Sequence, residues 1–223
     1  MHNFIKLLLF PAVLTFFLGG CSGQGAVEFI DKSYKTERIT VDLQIPQLTS
    51  LKDKDLQEQV NEDIYQTCMD FLGKFKSASE DISSPSVFIA ETKKFEKGTL
   101  LSLVTQIDYY TQKPHNNSFR ITKTVDTRTS TQLRLKDLFE GDGYIDRINA
   151  TLEDITLKNP DSYKGLWAKP QLGENQGFYI TDQALVIYFP PYELAYYSRG
   201  FVEFSIPLSD LSGYMTEEYR QML

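Results

Sequence analysis

The chain has 223 residues, with 23 Lys and Arg against 30 Asp and Glu and only two His and two Cys. A formal charge of −7 disfavours nucleic acid, anionic lipid headgroups and acidic wall polymers as partners, and would attract a basic protein. The length, with 13 Tyr and 15 Phe, is enough for a sizeable core in one domain or two intimate subdomains.

Residues 1–20 hold one cation, Lys6, and then an apolar run from Leu7 to Leu18 broken only by Pro11 and Thr15. That run is shorter than the roughly 20 residues a mature spanning helix needs. It ends in Leu18-Gly19-Gly20-Cys21, which resembles a lipobox, so residues 1–20 read as a lipoprotein signal peptide and Cys21 as the lipidated first residue of the exported chain. An ordinary secretory signal followed by an unmodified cysteine is the alternative. Residues 21–30, with Ser22-Gly23-Gln24-Gly25, form the lipidated N-terminus and a short spacer. Two or more acyl chains, at about 0.8 kcal/mol per buried methylene, hold such a domain outside the cytoplasm on the cell membrane, or on the outer membrane of a host with two. Signal removal takes one cation and no acid, leaving 22 against 30, a charge of −8. Cys68 is then the one free thiol, and no intrachain disulfide forms.

Ile39, Val41 and Leu43 alternate as a first strand that is expected to stop at Pro46. From Ser50 the period changes. Leu56, Val60, Ile64, Cys68, Phe71 and Phe75 recur at steps of three and four, an amphipathic helix of some 25 residues with Ser50 and Asp53 resembling a capping box. Cys68 lies on the apolar stripe, which makes it a buried thiol rather than a nucleophile. Three strands follow, Val87 to Phe95, Thr99 to Tyr110 and Ser118 to Asp126, the first two joined by a tight turn at Glu96-Lys97-Gly98. In the third, Phe119, Ile121 and Val125 oppose Arg120, Thr122 and Thr124, as in a half-buried sheet with one polar face. Ile145, Ile148, Leu152 and Ile155 mark a second helix, ended by Asn159-Pro160, and residues 160–175 read as an irregular segment carrying the single Trp167. Phe178 to Ile180 and Ala184 to Phe189 form a second hairpin. Pro190-Pro191 stops it, a strand returns at Phe201 to Ile206, and Pro207, Ser209 and Asp210 open a short final helix. The pattern predicts an α+β fold, with antiparallel sheets and hairpins packed by two or three amphipathic helices.

Little in the chain suits catalysis. A histidine-based zinc site needs more than His115, the one histidine left after signal removal, and no Gly-x-Ser-x-Gly elbow or phosphate-cradling glycine loop occurs. Glu140-Gly141-Asp142-Gly143 with Asp146 lacks the alternating oxygen ligands of a calcium loop. No catalytic residue, metal or cofactor is assigned. Aromatic density stands out instead: Tyr188, Phe189, Tyr192, Tyr196, Tyr197, Phe201 and Phe204 surround Pro190 and Pro191. Alternation assigns Phe189 and Phe204 to the core and Tyr192, Tyr196 and Tyr197 to a surface, where tyrosine supplies contact area at low entropic cost.

Phe178-Tyr179-Ile180-Thr181-Asp182, Leu185-Val186-Ile187-Tyr188-Phe189, Pro191-Tyr192-Glu193-Leu194-Ala195 with Tyr197 and Gly200, and Glu203-Phe204 with Ile206-Pro207 resemble the C-terminal half of an extracellular module. It is the module shared by the RsiV anti-sigma factor and the amino-terminal region of the PdaC peptidoglycan deacetylase. Tyr109-Tyr110-Thr111 with His115, and Leu135-Lys136-Asp137-Leu138-Phe139, are similar to it as well, although Gln112-Lys113-Pro114-His115 stands where that module commonly has Gly-Gly-Ala-His. The resemblance implies an N-terminal α+β part over residues 31–130 (DUF4163-like) and a C-terminal one over 131–223 (DUF3298-like). It implies a non-enzymatic binding module, here as a stand-alone lipoprotein without a cytoplasmic sigma-binding part or a membrane helix. Its implied partner is a basic lysozyme-like protein or peptidoglycan, faced by Pro190 and Tyr192, with Tyr196 and Tyr197 on the same surface and His115 and Asn116 in a neighbouring loop. A carboxylate-based glycan hydrolase and a structural subunit of an envelope complex are the competing readings.

Overall fold

The structure, a computed structural model, describes residues 27–80, 84–111 and 117–222. Cys21 to Ala26, His115 and Asn116 lie outside the described residues, whereas Val27 to Ile30, read as the end of the spacer, belong to the first strand. In chain order the elements are β1 (Val27–Asp31), β2 (Tyr34–Lys35), β3 (Ile39–Leu48), α1 (Lys54–Ser79), β4 (Ser86–Lys97), β5 (Leu100–Tyr110), β6 (Asn117–Asp126) and β7 (Thr131–Gln132). A 3-10 turn at Leu135–Leu138 leads to α2 (Gly143–Lys158), β8 (Gly177–Ile180), β9 (Ala184–Phe189), β10 (Val202–Pro207) and α3 (Glu217–Arg220). The fold is α+β and dominated by antiparallel sheet, as expected.

Seven strands form one sheet in the order β1-β3-β4-β5-β6-β7, with β2 also on β3, and β10-β9-β8 form a second. All pairings are antiparallel except β3 with β4, which α1 connects as a crossover. The apolar stripe on α1 lays Val60, Ile64, Cys68, Leu72 and Phe75 on one face of the large sheet, among Leu43, Phe88, Leu103, Ile107 and Tyr109. On α2, Tyr144, Ile148 and Leu152 cover the outer face of the small sheet, among Ile180, Leu185, Ile187, Phe189, Phe204 and Ile206. The inner face of the small sheet, through Tyr179, Val186 and Tyr188, meets Val104 of β5. The layers therefore run α1, large sheet, small sheet, α2.

Several sequence expectations change. β3 passes Pro46 and ends at Leu48. Lys32 donates to the Leu43 carbonyl and Phe29 pairs with Pro46, so the donor that proline lacks would have pointed away from β1, toward the side where β4 has already left at Leu43. Leu48 beyond it is clamped by Asn61 of α1, whose amide accepts from Leu48 N at 2.7 Å and donates to its carbonyl at 2.8 Å. Asp53, rather than a Ser50 box, caps α1, accepting from Leu56 N at 3.0 Å. The hairpin turn lies one step later than predicted, at Gly98-Thr99, with Gly98 at φ 59°. The single final helix divides into a 3-10 turn at Leu208–Leu211 and α3.

The polar side of the large sheet is not a solvent face, because the small sheet covers it. Hydroxyls satisfy one another across the contact. Ser102 and Thr124 lie 2.8 Å apart, Ile180 N donates to Ser102 Oγ at 3.0 Å, and Thr122 and the Tyr188 hydroxyl are 3.1 Å apart. Arg120 of β6 crosses the same seam. Its guanidinium stands 4.9 Å from the Tyr188 ring centre and 4.3 Å from that of Phe201, donates to Gln106 Oε1 at 3.0 Å and pairs with Glu203 of β10.

Candidate functional site

Pro190 and Pro191 end β9, because neither ring nitrogen can donate to a ladder. The chain then turns outward and returns through a 3-10 turn at Tyr197–Arg199 to β10. Leu194 and Ala195 anchor this excursion in the α2 core. On either side of these anchors stand the residues singled out from the sequence. Tyr192 is 56% exposed and Tyr196 70% exposed, while Tyr197 is half-buried and Pro190 exposed. Tyr192 has a φ of 72°, the left-handed region, where a bulky side chain is an outlier. Its ring lies 5.3 Å from that of Tyr197, tilted by 45°.

Trp167 joins the group from the irregular segment. It is 48% exposed, stands edge-on to Tyr196 at 4.9 Å, and is fixed by its Nε1 donating to the Glu193 carbonyl at 3.2 Å and its backbone N donating to the Leu194 carbonyl at 2.9 Å. Sequence reasoning left Trp167 in a loop without a role. Its one signal was being the single tryptophan of a chain rich in other aromatics. Burial pushes the Tyr197 hydroxyl up in pKa, with Ser118 of β6 beside it pulling the other way. Ser118 also donates to Asp108, so the start of β6 and the end of β5 border the tyrosine face. His115 and Asn116 belong to the connection between those two strands and lie outside the described residues. Burial also raises the Glu193 carboxyl above the usual range. The assembly offers rings, hydroxyls and main-chain groups to a partner. Among the described residues no group of three or more His, Cys, Asp or Glu gathers as a metal site, and burial pushes the Cys68 thiol up to about 11, as suits an inert core cysteine.

Residues 136–209, which include β8, β9, the tyrosine face and β10, match the family described as a protein of unknown function, DUF3298. The anti-sigma-V factor RsiV of Bacillus subtilis (strain 168) is 27% identical over 210 residues, an alignment spanning 86% of this chain and 71% of RsiV. A member of the DUF3298 family from Bacteroides fragilis superposes with a TM-score of 0.66 at 15% identity, covering 87% of this chain and 95% of its own. A DUF3298 family protein from Pseudomonas aeruginosa PAO1 does so with 0.59 at 14%, covering 87% and 93%. At such identities the two structures speak for the fold alone. Among the described residues no helix is long and apolar enough to cross a membrane.

Proposed function

From a DUF3298 domain over residues 136–209 and an anti-sigma-factor homologue along most of the chain, we propose a membrane-anchored, extracytoplasmic binding module of the cell envelope that captures a basic, lysozyme-like protein. The observation that carries this reading is the conformation of Tyr192, a large ring held outward at positive φ against Tyr197. Strain of this kind persists where the surroundings over-determine it, and it concentrates at binding and catalytic positions. An exposed, pre-ordered ring loses little freedom on docking, which is what makes tyrosine an effective anchor. The negative charge of the chain steers a basic enzyme toward the face. The domain works by binding, without chemistry of its own.

Calorimetric titration with hen-type lysozyme tests it. Saturable heat and inhibition of the enzyme are expected, and their absence at millimolar protein would remove the lysozyme reading. The edge-to-face pair of Trp167 and Tyr196 supports a second ligand, a wall glycan, because sugars lie on exposed rings. Co-sedimentation with purified peptidoglycan separates the two. Anchoring is tested apart from binding: labelling with a radioactive fatty acid should mark the native chain and leave Cys21→Ala unlabelled.

A further inference from the structure

Among the described residues, the strand paired to the outer side of β6 is β7, at Val125 and Asp126. Its hydrogen-bonding parity is set by two bonds, Thr127 N to the Thr99 carbonyl and Leu133 N to the Thr124 carbonyl, each of 2.8 Å. Odd-numbered residues from 119 to 127 therefore exchange bonds with β5, and even-numbered ones aim their N–H and C=O away from it. Thr124 meets Leu133, and the Tyr197 hydroxyl lies beside Ser118. Among the described residues no group bonds to the outward main chain of Arg120 or Thr122.

That bare edge lines a groove. It runs between β6, the Thr67 and Phe71 face of α1 and residues 172–177, as one hollow of about 820 Å³ continued by another of about 400 Å³. The facing wall is β8, itself an edge strand. Thr181 N donates to the Ala184 carbonyl, so Phe178 and Ile180 aim their main chain outward; Ile180 N is taken by Ser102, and Phe178 has no main-chain partner among the described residues. Asn175 and Gln176 overhang the groove. Its ends differ in charge. Arg134 and Lys136 border one, Arg134 being already paired with Asp137 and Glu174 lining the same hollow, and Glu193 borders the other, next to the tyrosine face.

We propose that this groove is a second binding site, adjoining the tyrosine face at Pro190 and Glu193, which takes an extended peptide segment as an added strand on β6. The main chain of the peptide bonds to Arg120 and Thr122. Its side chains alternate between the Phe71 and Ile121 wall and the Tyr188 and Phe178 wall, with a carboxylate beside Lys136 and a cation beside Glu193. A saccharide would use the rings and amides but would leave this row of main-chain groups unmet. The site does not depend on what docks at Tyr192.

The test uses a fluorescein-labelled probe, Lys-Val-Thr-Val-Thr-Asp, read by anisotropy against the whole protein. Saturable binding is expected, together with slow hydrogen exchange at the Arg120 and Thr122 amides in the complex and fast exchange at both in the free protein. Two versions of the probe, N-methylated at one or the other set of alternate residues, separate main-chain pairing from side-chain docking, and at least one should bind at least about tenfold more weakly. Thr122→Pro deletes an outward donor without touching the β5 ladder and should weaken binding as much, whereas Thr122→Val should bind like the native chain. If Thr122→Pro does not fold, the methylated pair decides alone. No binding at millimolar protein, equal binding by every probe, amides already slow in the free protein, or capture of chitotetraose in place of the peptide would each overturn the proposal.

Discussion

Tyr192 is held in a backbone region that costs a side-chain-bearing residue about 1–2 kcal/mol, and it exposes most of its ring there. Fold and the proposed recognition role therefore ask for different residues at one position. Tyr192→Gly should fold about 1 kcal/mol more stably than Tyr192→Ala in urea titrations, since glycine alone is at ease at φ 72°. Both should bind lysozyme more weakly than the native chain by about 2 kcal/mol or more in calorimetry, as truncated aromatic anchors do. Equal affinity would take Tyr192 out of the site. Alternation around Pro190 and Pro191 already separated buried Phe189 and Phe204 from exposed Tyr192 and Tyr196. It could not report the φ of Tyr192, nor that Tyr197 would sink halfway against Ser118, because both follow from how the excursion seats on β6.

The seam between the two sheets behaves as one element. Arg120 read in the sequence as an outward polar position, and it became an interior one because the small sheet lies on that face. No local pattern announces that a polar face will be covered by a segment some 80 residues later. Arg120→Ala removes two ring contacts and leaves Glu203 beside Tyr179 without its cation, so a loss of about 2 kcal/mol in thermal or urea unfolding is expected. Gly177 faces the Tyr188 ring so closely that an added Cβ would lie inside its van der Waals shell. Gly177→Ala should cost about 1–3 kcal/mol, because Tyr188 can move only by giving up Thr122 and Arg120. By contrast, the bodies of α1, α2 and the β4–β5 hairpin were legible, since each carries its own periodicity, although the cap of α1 and the turn of the hairpin were misplaced. β1 and β2 escaped notice, as most of their side chains are exposed and show no alternation.

Across the molecule, burial raises the pKa of several tyrosine hydroxyls, among them Tyr109, Tyr144, Tyr179 and Tyr188. Burial, reinforced by the Glu203 carboxylate, pushes Tyr179 up to about 12, and burial raises Tyr188 beside it. The folded-state pKa exceeds the unfolded value of 10.0, so the unfolded chain loses these protons first as pH rises. The stabilisation is complete below pH 10 and should drain away between pH 10 and about 12, which a falling melting temperature over that window would register. A flat profile would mean that the seam is wetter than its geometry. At this scale the α+β class and the hairpins were readable from the chain, while the stacking of one sheet on another was not. The far end of the chain bears on how that stacking is reached. The Met222 side chain rests against Gly98, and the Thr99 hydroxyl points at its sulfur from 3.8 Å, so the tip of the β4–β5 hairpin is roofed by a residue 123 positions later. Closing a loop of that size costs about 4 kcal/mol of chain entropy. The hairpin can form from its own residues alone, yet its roof arrives only with residue 222. Docking of Met222 therefore follows the hairpin, and until then the half-built domain exposes a bare turn to chaperones and proteases.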